Sequence, residues 1–449
     1  MSKKKIQDKS FGYELVKSIV HFMYPKFFRQ TEIRGLENVP DNEPLIFAGN
    51  HQNGVMDPLA IILYQKEPIV YMGRADIFSN LLFRVLLRFI KVTPVYRIRD
   101  GFENLTKNDQ QIKEAIDVLL DCKRLGVMPE GNHGEQHKLR PLVKGLFRIG
   151  YQAEILLNNK AHVKIIPVGI DYSFYQHAGS DLVINYGKPI DFKDFLPIYL
   201  ENQAIGLNTL RTELATALSG LMLDIRSQDY DRTYRLCCYG ITAFLEYQVE
   251  NGIGTNAYTM AGLRYEARIS LSKLFDRMEM ENPDLIQKLD DLTQNLNQLP
   301  GFPSETMEWM EEKPSFSNRI LLGLIALILS PGFILNLPGW ALSHLIISKV
   351  EDKQMHATFV FTQGMAFNFL VYLVVTILIG NILGATLIQL LILFFFISSL
   401  GIVSEKGRQY LRMPWRKFRY SFGARKSLVV ACKADYQQLK DMIKAHIGD

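Results

Sequence analysis

The sequence predicts an α/β domain built on a largely parallel sheet with flanking helices. A helical connector and a C-terminal α-helical membrane region follow it. Three observations carry this. Between residues 43 and 190, short runs rich in Val and Ile alternate with helical patterns, the spacing of strand–helix–strand units. From about 191 to 318 the strand signals fade, and Leu285, Leu289, Leu292, Leu296 and Leu299 recur at helical spacing. From Ile320 to Ser348, and again from Met355 to Ser404, there is no Asp, Glu, Lys or Arg. A helix needs roughly 20 apolar residues to cross a bilayer, so the second run is long enough to cross twice.

The elements follow in order. Residues 1–42 form an amphipathic N-terminal segment. Within it Leu15, Ile19 and Phe22 share a helical face, while Lys17, His21 and Lys26 interleave. Two readings stay open here: a helix packed on the core, or one lying in the membrane interface. No signal peptide is expected, because Glu14, Lys17 and His21 interrupt the apolar stretch. In the α/β domain, set at 43–194, strands are expected at 44–50, 69–73, 92–98, 126–131, 163–172 and 182–187. Helices are expected near 58–65, 77–90, 104–124 and 144–157. The connector spans 195–318; Asn282 is the expected cap of its leucine helix, with Pro283 in the first position.

The membrane region is placed at 319–404, with spans at 358–380 and 382–403 joined by a hairpin at Asn381 and Gly384. The run 320–348 contains Pro331, Gly332, Pro338 and Gly339 and is expected to be a re-entrant segment or hairpin pair. The tail, 405–449, opens with Lys406, Arg408, Arg412, Arg416, Lys417, Arg419, Arg425 and Lys426 against Glu405 alone. Positive charge beside a span stays cytoplasmic. The expectation is an integral protein of the cytoplasmic (inner) membrane, its α/β domain on the cytosolic face, with membrane lipids as partners and no nucleic acid. Cys122, Cys237, Cys238 and Cys432 show no CxxC spacing and read as reduced thiols.

Residues 50–58, NHQNGVMDP, carry the first chemical signal. On one helix His51 and Asp57 would stand about 240° apart, at roughly 100° per residue. A strand ending before His51, a turn at Gly54 and a helix starting at Asp57-Pro58 would instead fold one onto the other. The pair is then either a general base with its orienting carboxylate or a loop histidine and a helix cap. There is no G-x-S-x-G and no G-x-x-x-x-G-K-[ST], which disfavours a serine nucleophile and nucleotide hydrolysis. His133 and His137 in GNHGEQH raise a metal site, but a solvated loop is the expectation and no metal is assigned.

Further along, VTPVYRIRDG ends a strand with Arg97. GVMPEGNHG carries Glu130 and Gly131, Lys144 precedes Gly145 at a helix start, and IIPVGI carries Pro167. With NHQNGVMDP, these segments resemble, in order and across about 45–172, the four blocks of the glycerolipid acyltransferase superfamily. That superfamily includes the 1-acylglycerol-3-phosphate and glycerol-3-phosphate acyltransferases. The resemblance implies His51 as base on the acceptor hydroxyl, Asp57 as its orienter and Arg97 on the acceptor phosphate. It implies Glu130 and Gly131 shaping the acceptor site, with Lys144 and Arg74 as further phosphate candidates. It implies acyl-CoA or acyl-carrier protein as donor, a glycerol-phosphate or lysolipid as acceptor, and no cofactor. Two departures stand out. Five residues, not four, separate His51 from Asp57, and Asn132 and His133 stand where Thr and Arg are usual. Arg140 nearby has two readings: a substitute for the arginine missing from the third block or, as expected here, a solvated loop arginine. The rival readings are an acyltransferase for another lysolipid and a catalytically idle membrane adaptor.

Overall fold

The apolar runs form strands near their predicted places, except that the one expected at 126–131 is Arg124–Val127 and residues 128–131 form a loop. The computed structural model describes residues 5–95, 105–176, 178–253, 258–298, 316–421 and 426–447. The strands are β1 (Gln30–Arg34), β2 (Leu45–Gly49), β3 (Ile69–Arg74), β4 (Val92–Val95), β5 (Arg124–Val127), β6 (Lys164–Tyr172), β7 (Asp181–Tyr186) and β8 (Ile190–Asp191). The sheet order is β1-β7-β6-β2-β5-β3-β4, with β8 beside β6. Pairings from β6 through β4 are parallel, whereas β7 and β8 run antiparallel to β6. The parallel strands require crossovers. The intervening helices are α2 (Met56–Ile62), α3 (Leu81–Phe89), α4 (Leu105–Leu120) and α5 (Gly145–Leu157), preceded in the chain by α1 (Phe11–Phe27).

The chain divides into two compact units. The first comprises Met1–Tyr24, Thr31–Tyr172 and Leu182–Asp224. After β8 come α6 (Phe192–Glu201) and α7 (Gln203–Leu221). On one face of the sheet Ile46, Leu125 and Ile165 pack with Leu119 of α4, Phe147 of α5, and Leu210 and Leu214 of α7. Strand β1, QTEIR, carries one apolar residue at the sheet's edge and had no hydrophobic run to announce it.

The second unit comprises Pro25–Gln30, Ser173–Asp181 and Ile225–Asp449. It holds α8 (Tyr230–Glu250), α9 (Met260–Glu281), α10 (Pro283–Leu296), α11 (Phe316–Ile347), α12 (His356–Leu383), α13 (Leu387–Ser421) and α14 (Lys426–Ile447). Asn282 caps α10, its side chain accepting from the Leu285 N–H at 3.2 Å. The Leu289 and Leu296 seam is buried with Leu236, Phe275, Cys432 and Leu439 of α8, α9 and α14. Asp181, buried, accepts from Arg29 at 2.8 and 2.6 Å and from Arg264 at 3.2 Å.

Helices α11, α12 and α13 each contain a stretch long and apolar enough to cross a membrane. The expected break within 320–348 is absent, so the hairpin-pair reading is corrected: α11 runs through Pro331 and Pro338 as one helix. A proline removes the N–H that would bond the carbonyl four residues earlier. At Pro331 that carbonyl belongs to Leu327, and the Ser330 hydroxyl donates to it instead at 2.7 Å. Such replacement is how apolar helices tolerate proline. Between the helices, Asn336 donates to the Gly401 carbonyl at 2.9 Å and accepts from the Tyr372 hydroxyl at 2.5 Å.

Candidate active site

The site begins where β2 ends. Asn50 continues the strand with its side chain: Nδ2 donates to the Ile170 carbonyl at 2.9 Å, and Oδ1 accepts from the Ile170 N–H at 2.7 Å. This fixes the next residue, His51, at the carboxyl end of a central parallel strand, where such sheets gather their chemistry. The loop then turns at Gly54, whose φ of 43° lies in the left-handed region, where a side chain would be strained.

Asp57 closes the loop on itself. Its Oδ2 accepts from His51 Nδ1 at 2.9 Å, the Gln52 N–H at 2.8 Å and the Asn53 N–H at 2.7 Å. Its Oδ1 accepts from the Tyr172 hydroxyl at 2.8 Å. The carboxylate is fully buried. Burial pushes the Tyr172 phenol well above its ordinary value, so it serves as a donor here. With every other partner donating to the carboxylate, the assignment that satisfies the network places the His51 proton on Nδ1 and the lone pair on Nε2. Asp57 is not the helix cap the sequence suggested. Helix α2 starts a residue earlier, at Met56 after Val55, and the carboxylate turns back to the loop amides instead. Pro58 then falls in the first turn, where a missing N–H costs little.

A second loop, after β5, braces the first. The Gly131 N–H bonds the Met128 carbonyl at 3.0 Å, and Gly131 has a φ of 71°. Glu130 Oε1 accepts the His51 backbone N–H at 2.7 Å. Its Oε2 accepts Arg140 N at 3.1 Å and Nε at 2.8 Å. Burial raises the Glu130 carboxyl, and the Arg140 guanidinium opposes that rise. Arg140 is therefore not the solvated loop arginine expected. It also donates to the carbonyls of His133 at 2.9 Å, of Asn132, and of His51 at 3.4 Å. The His133 ring stacks on His51, with centroids 5.5 Å apart and planes 27° apart. His137, expected in solvent, is buried with its Nδ1 3.3 Å from the buried Asp171 carboxylate.

The structure thus brings His51, Asp57, Glu130 and Gly131 together. Lys144 is exposed at the residue preceding α5. Arg74 ends β3 and pairs with Asp76, Nη2 to Oδ2 at 2.5 Å. Arg97 lies outside the described residues, as do the other residues of 96–98 in the strand expected at 92–98. Sequence reasoning missed Asn50, Tyr172 and the Arg140 brace. Tyr172 had a signal: it continues the 166, 168, 170 face of an otherwise apolar strand.

The mostly parallel sheet with flanking helices is the fold anticipated for an acyltransferase domain. Residues 30–171 match the family model described as Acyltransferase. A comparison with curated proteins finds no match. Among solved structures, the chain is similar to the crystal structure of the 1-acyl-sn-glycerophosphate (LPA) acyltransferase, PlsC, from Thermotoga maritima. That similarity has 17% identity and a TM-score of 0.35, covering 48% of this chain and 81% of that one.

Proposed function

We propose that the protein moves a fatty acyl chain from a thioester donor, acyl-CoA or acyl-carrier protein, to a hydroxyl of glycerol-3-phosphate or 1-acylglycerol-3-phosphate. The observation that carries this is the His51–Asp57 contact of 2.9 Å within the span that matches the Acyltransferase family model. His51 Nε2 takes the hydroxyl proton as the oxygen attacks the thioester carbonyl. Asp57 keeps the tautomer and steadies the imidazolium that forms. Collapse of the tetrahedral intermediate forms the ester and breaks the C–S bond. The thiolate takes the proton from His51 and leaves as thiol. Glu130 and Arg140 hold the histidine's backbone, Gly131 shapes the turn beneath it, and Arg97 grips the acceptor phosphate with its planar fork. Lys144 and Arg74 remain candidates for phosphate contact.

A second reading, a lysolipid acceptor without a terminal phosphate, is favoured by Asn132 and His133 standing where the superfamily has Thr and Arg. The test is thiol release from acyl-CoA by the purified chain. Glycerol-3-phosphate, 1-acylglycerol-3-phosphate and lysophosphatidylcholine are offered in turn beside a His51→Ala control, with acyl-carrier protein as second donor. Release with a phosphate acceptor, abolished in the control, supports the first reading. Release with lysophosphatidylcholine alone supports the second. No release with either donor from folded protein sinks both.

In this reading the catalytic domain sits on the cytosolic face of the inner membrane, with α12 and α13 crossing. Helix α11 dips in without traversing. Its support is where α11 touches α13. The Leu329 carbonyl accepts from Ser404 at 3.1 Å, Asn336 bonds Gly401, and the Trp340 indole donates to Glu405 at 2.7 Å. Both flanks of this segment thus meet the charged end of α13, and its middle meets a residue further into the apolar run.

A further inference from the structure

The first unit carries two helices whose apolar faces are exposed among the described residues. On α1, Phe11, Leu15, Ile19 and Phe22 follow one another at helical spacing and are 84, 51, 50 and 57% exposed. On α3, Leu81, Val85 and Phe89 do the same at 71, 62 and 41%. The two faces adjoin. A side chain added at Gly12, in the first turn of α1, would come 3.3 Å from the Phe89 ring in the last turn of α3. Lys91, just past α3, donates through Nζ to the carbonyls of Ile6 at 2.7 Å and Asp8 at 2.6 Å, just ahead of α1, and lies 4.8 Å from the Tyr13 ring. Water is a poor solvent for a contiguous surface of this kind.

We propose that α1 and α3 together form a ledge that rests in the interfacial layer of the bilayer, with α3 the second of two lipid-contacting helices. Three features select lipid over a protein cover. The same chain holds helices long and apolar enough to cross a membrane, so a bilayer is always near. Helix α3 carries Arg84 and Arg88 and no acid, and α1 carries Lys17 against Glu14. Lys17 bonds the Gln65 carbonyl and Arg88 pairs with Glu114 at 2.9 Å, which leaves Arg84 as the cation that suits anionic headgroups. The apolar residues recur along the full length of both helices, the form of a surface lying in a plane. The ledge does not depend on which acceptor the enzyme takes.

The test uses the full chain in nanodiscs containing anionic phospholipid, on a Cys122→Ser background because the other three cysteines are buried. A nitroxide is attached at Ile19→Cys, at Val85→Cys, at Lys160→Cys as the aqueous reference, and at Leu378→Cys on α12 as the lipid reference. All four positions are exposed in the structure. Accessibility to oxygen, which partitions into lipid, is compared with that to a water-soluble nickel chelate. Labels at 19 and 85 are expected to behave as the label at 378, with nickel contact several-fold below the label at 160. Anionic lipid should deepen the label at 85. Nickel contact at 85 equal to that at 160 overturns the ledge. Protection of 85 from both reagents also overturns it, in favour of a second copy or another protein.

Discussion

His51 is held at three points: its ring nitrogen by Asp57, its N–H by Glu130 and its carbonyl by the Gly134 N–H at 3.1 Å. These contacts separate two roles that mutation can distinguish. In Asp57→Asn the amide oxygen can still accept from the loop N–H groups and Nδ2 can donate to the Tyr172 oxygen, so the loop should keep its shape. The imidazolium loses its counter-charge, and kcat is expected to fall by about 10²- to 10⁴-fold with KM little changed; steady-state kinetics decide. Arg140→Ala acts differently. It leaves Glu130 buried opposite the His51 N–H without its guanidinium, and should cost roughly 2 kcal/mol in melting experiments. The pH dependence has a definite sign. Burial raises the Glu130 carboxyl above its ordinary 4.5, because it penalises the ionised form. Arg140 stabilises only that ionised form. The deficit of the variant should therefore be largest at high pH and shrink as the pH falls through the raised folded value. A deficit independent of pH would show that Arg140 acts through the His133 and Asn132 carbonyls alone.

At the scale of elements, the sequence was most legible where one signal had one meaning. Strands β2, β3 and β6 were readable because Val- and Ile-rich runs bounded by Gly, Pro or Asn have few other interpretations. The cap of α10 was readable because Asn-Pro at a helix start is a local rule. Strand β1 was hidden because an edge strand needs little apolar content. Arg140 was hidden because its partner depends on the path of the loop between 131 and 140, which local sequence does not encode. Helix α11 was misread as broken because proline rules from water do not transfer unchanged to an apolar bundle, where Ser330 supplies the missing donor. The helix's hold on its neighbours rests partly on Asn336. In Asn336→Ala both its bonds are lost, to the Gly401 carbonyl and from the Tyr372 hydroxyl. A loss of about 1 kcal/mol is expected, read as a lower melting temperature in detergent with turnover by the first unit retained.

At the scale of the molecule, the second unit contains a charge cluster whose effect on stability depends on acid. Burial alone would raise Asp181, but its bonds to Arg29 and the nearby Arg264 and Arg268 hold it below the ordinary 3.8. A depressed carboxyl contributes stability that is fully present above its unfolded value and is lost as the pH falls through the folded one. Asp181→Asn should therefore destabilise the second unit by roughly 3 kcal/mol at neutral pH, and the gap to the parent should close in strong acid. Melts across that range test the sign. Unfolding that differs equally at all pH values would place the loss in packing instead.

The loop from Asn50 to Asp57 is tied before any ligand arrives: by Asn50 to the middle of β6, by Glu130 to the turn after β5, and by Tyr172 to the last residue of β6. A loop already ordered in the free protein has no conformational entropy left to lose when substrate enters. The heat-capacity change on acceptor binding should then scale with the apolar area the acceptor itself covers. A long-chain lysolipid would give a large negative value and a headgroup alone almost none, which makes calorimetry a direct gauge of how much acyl chain the protein holds.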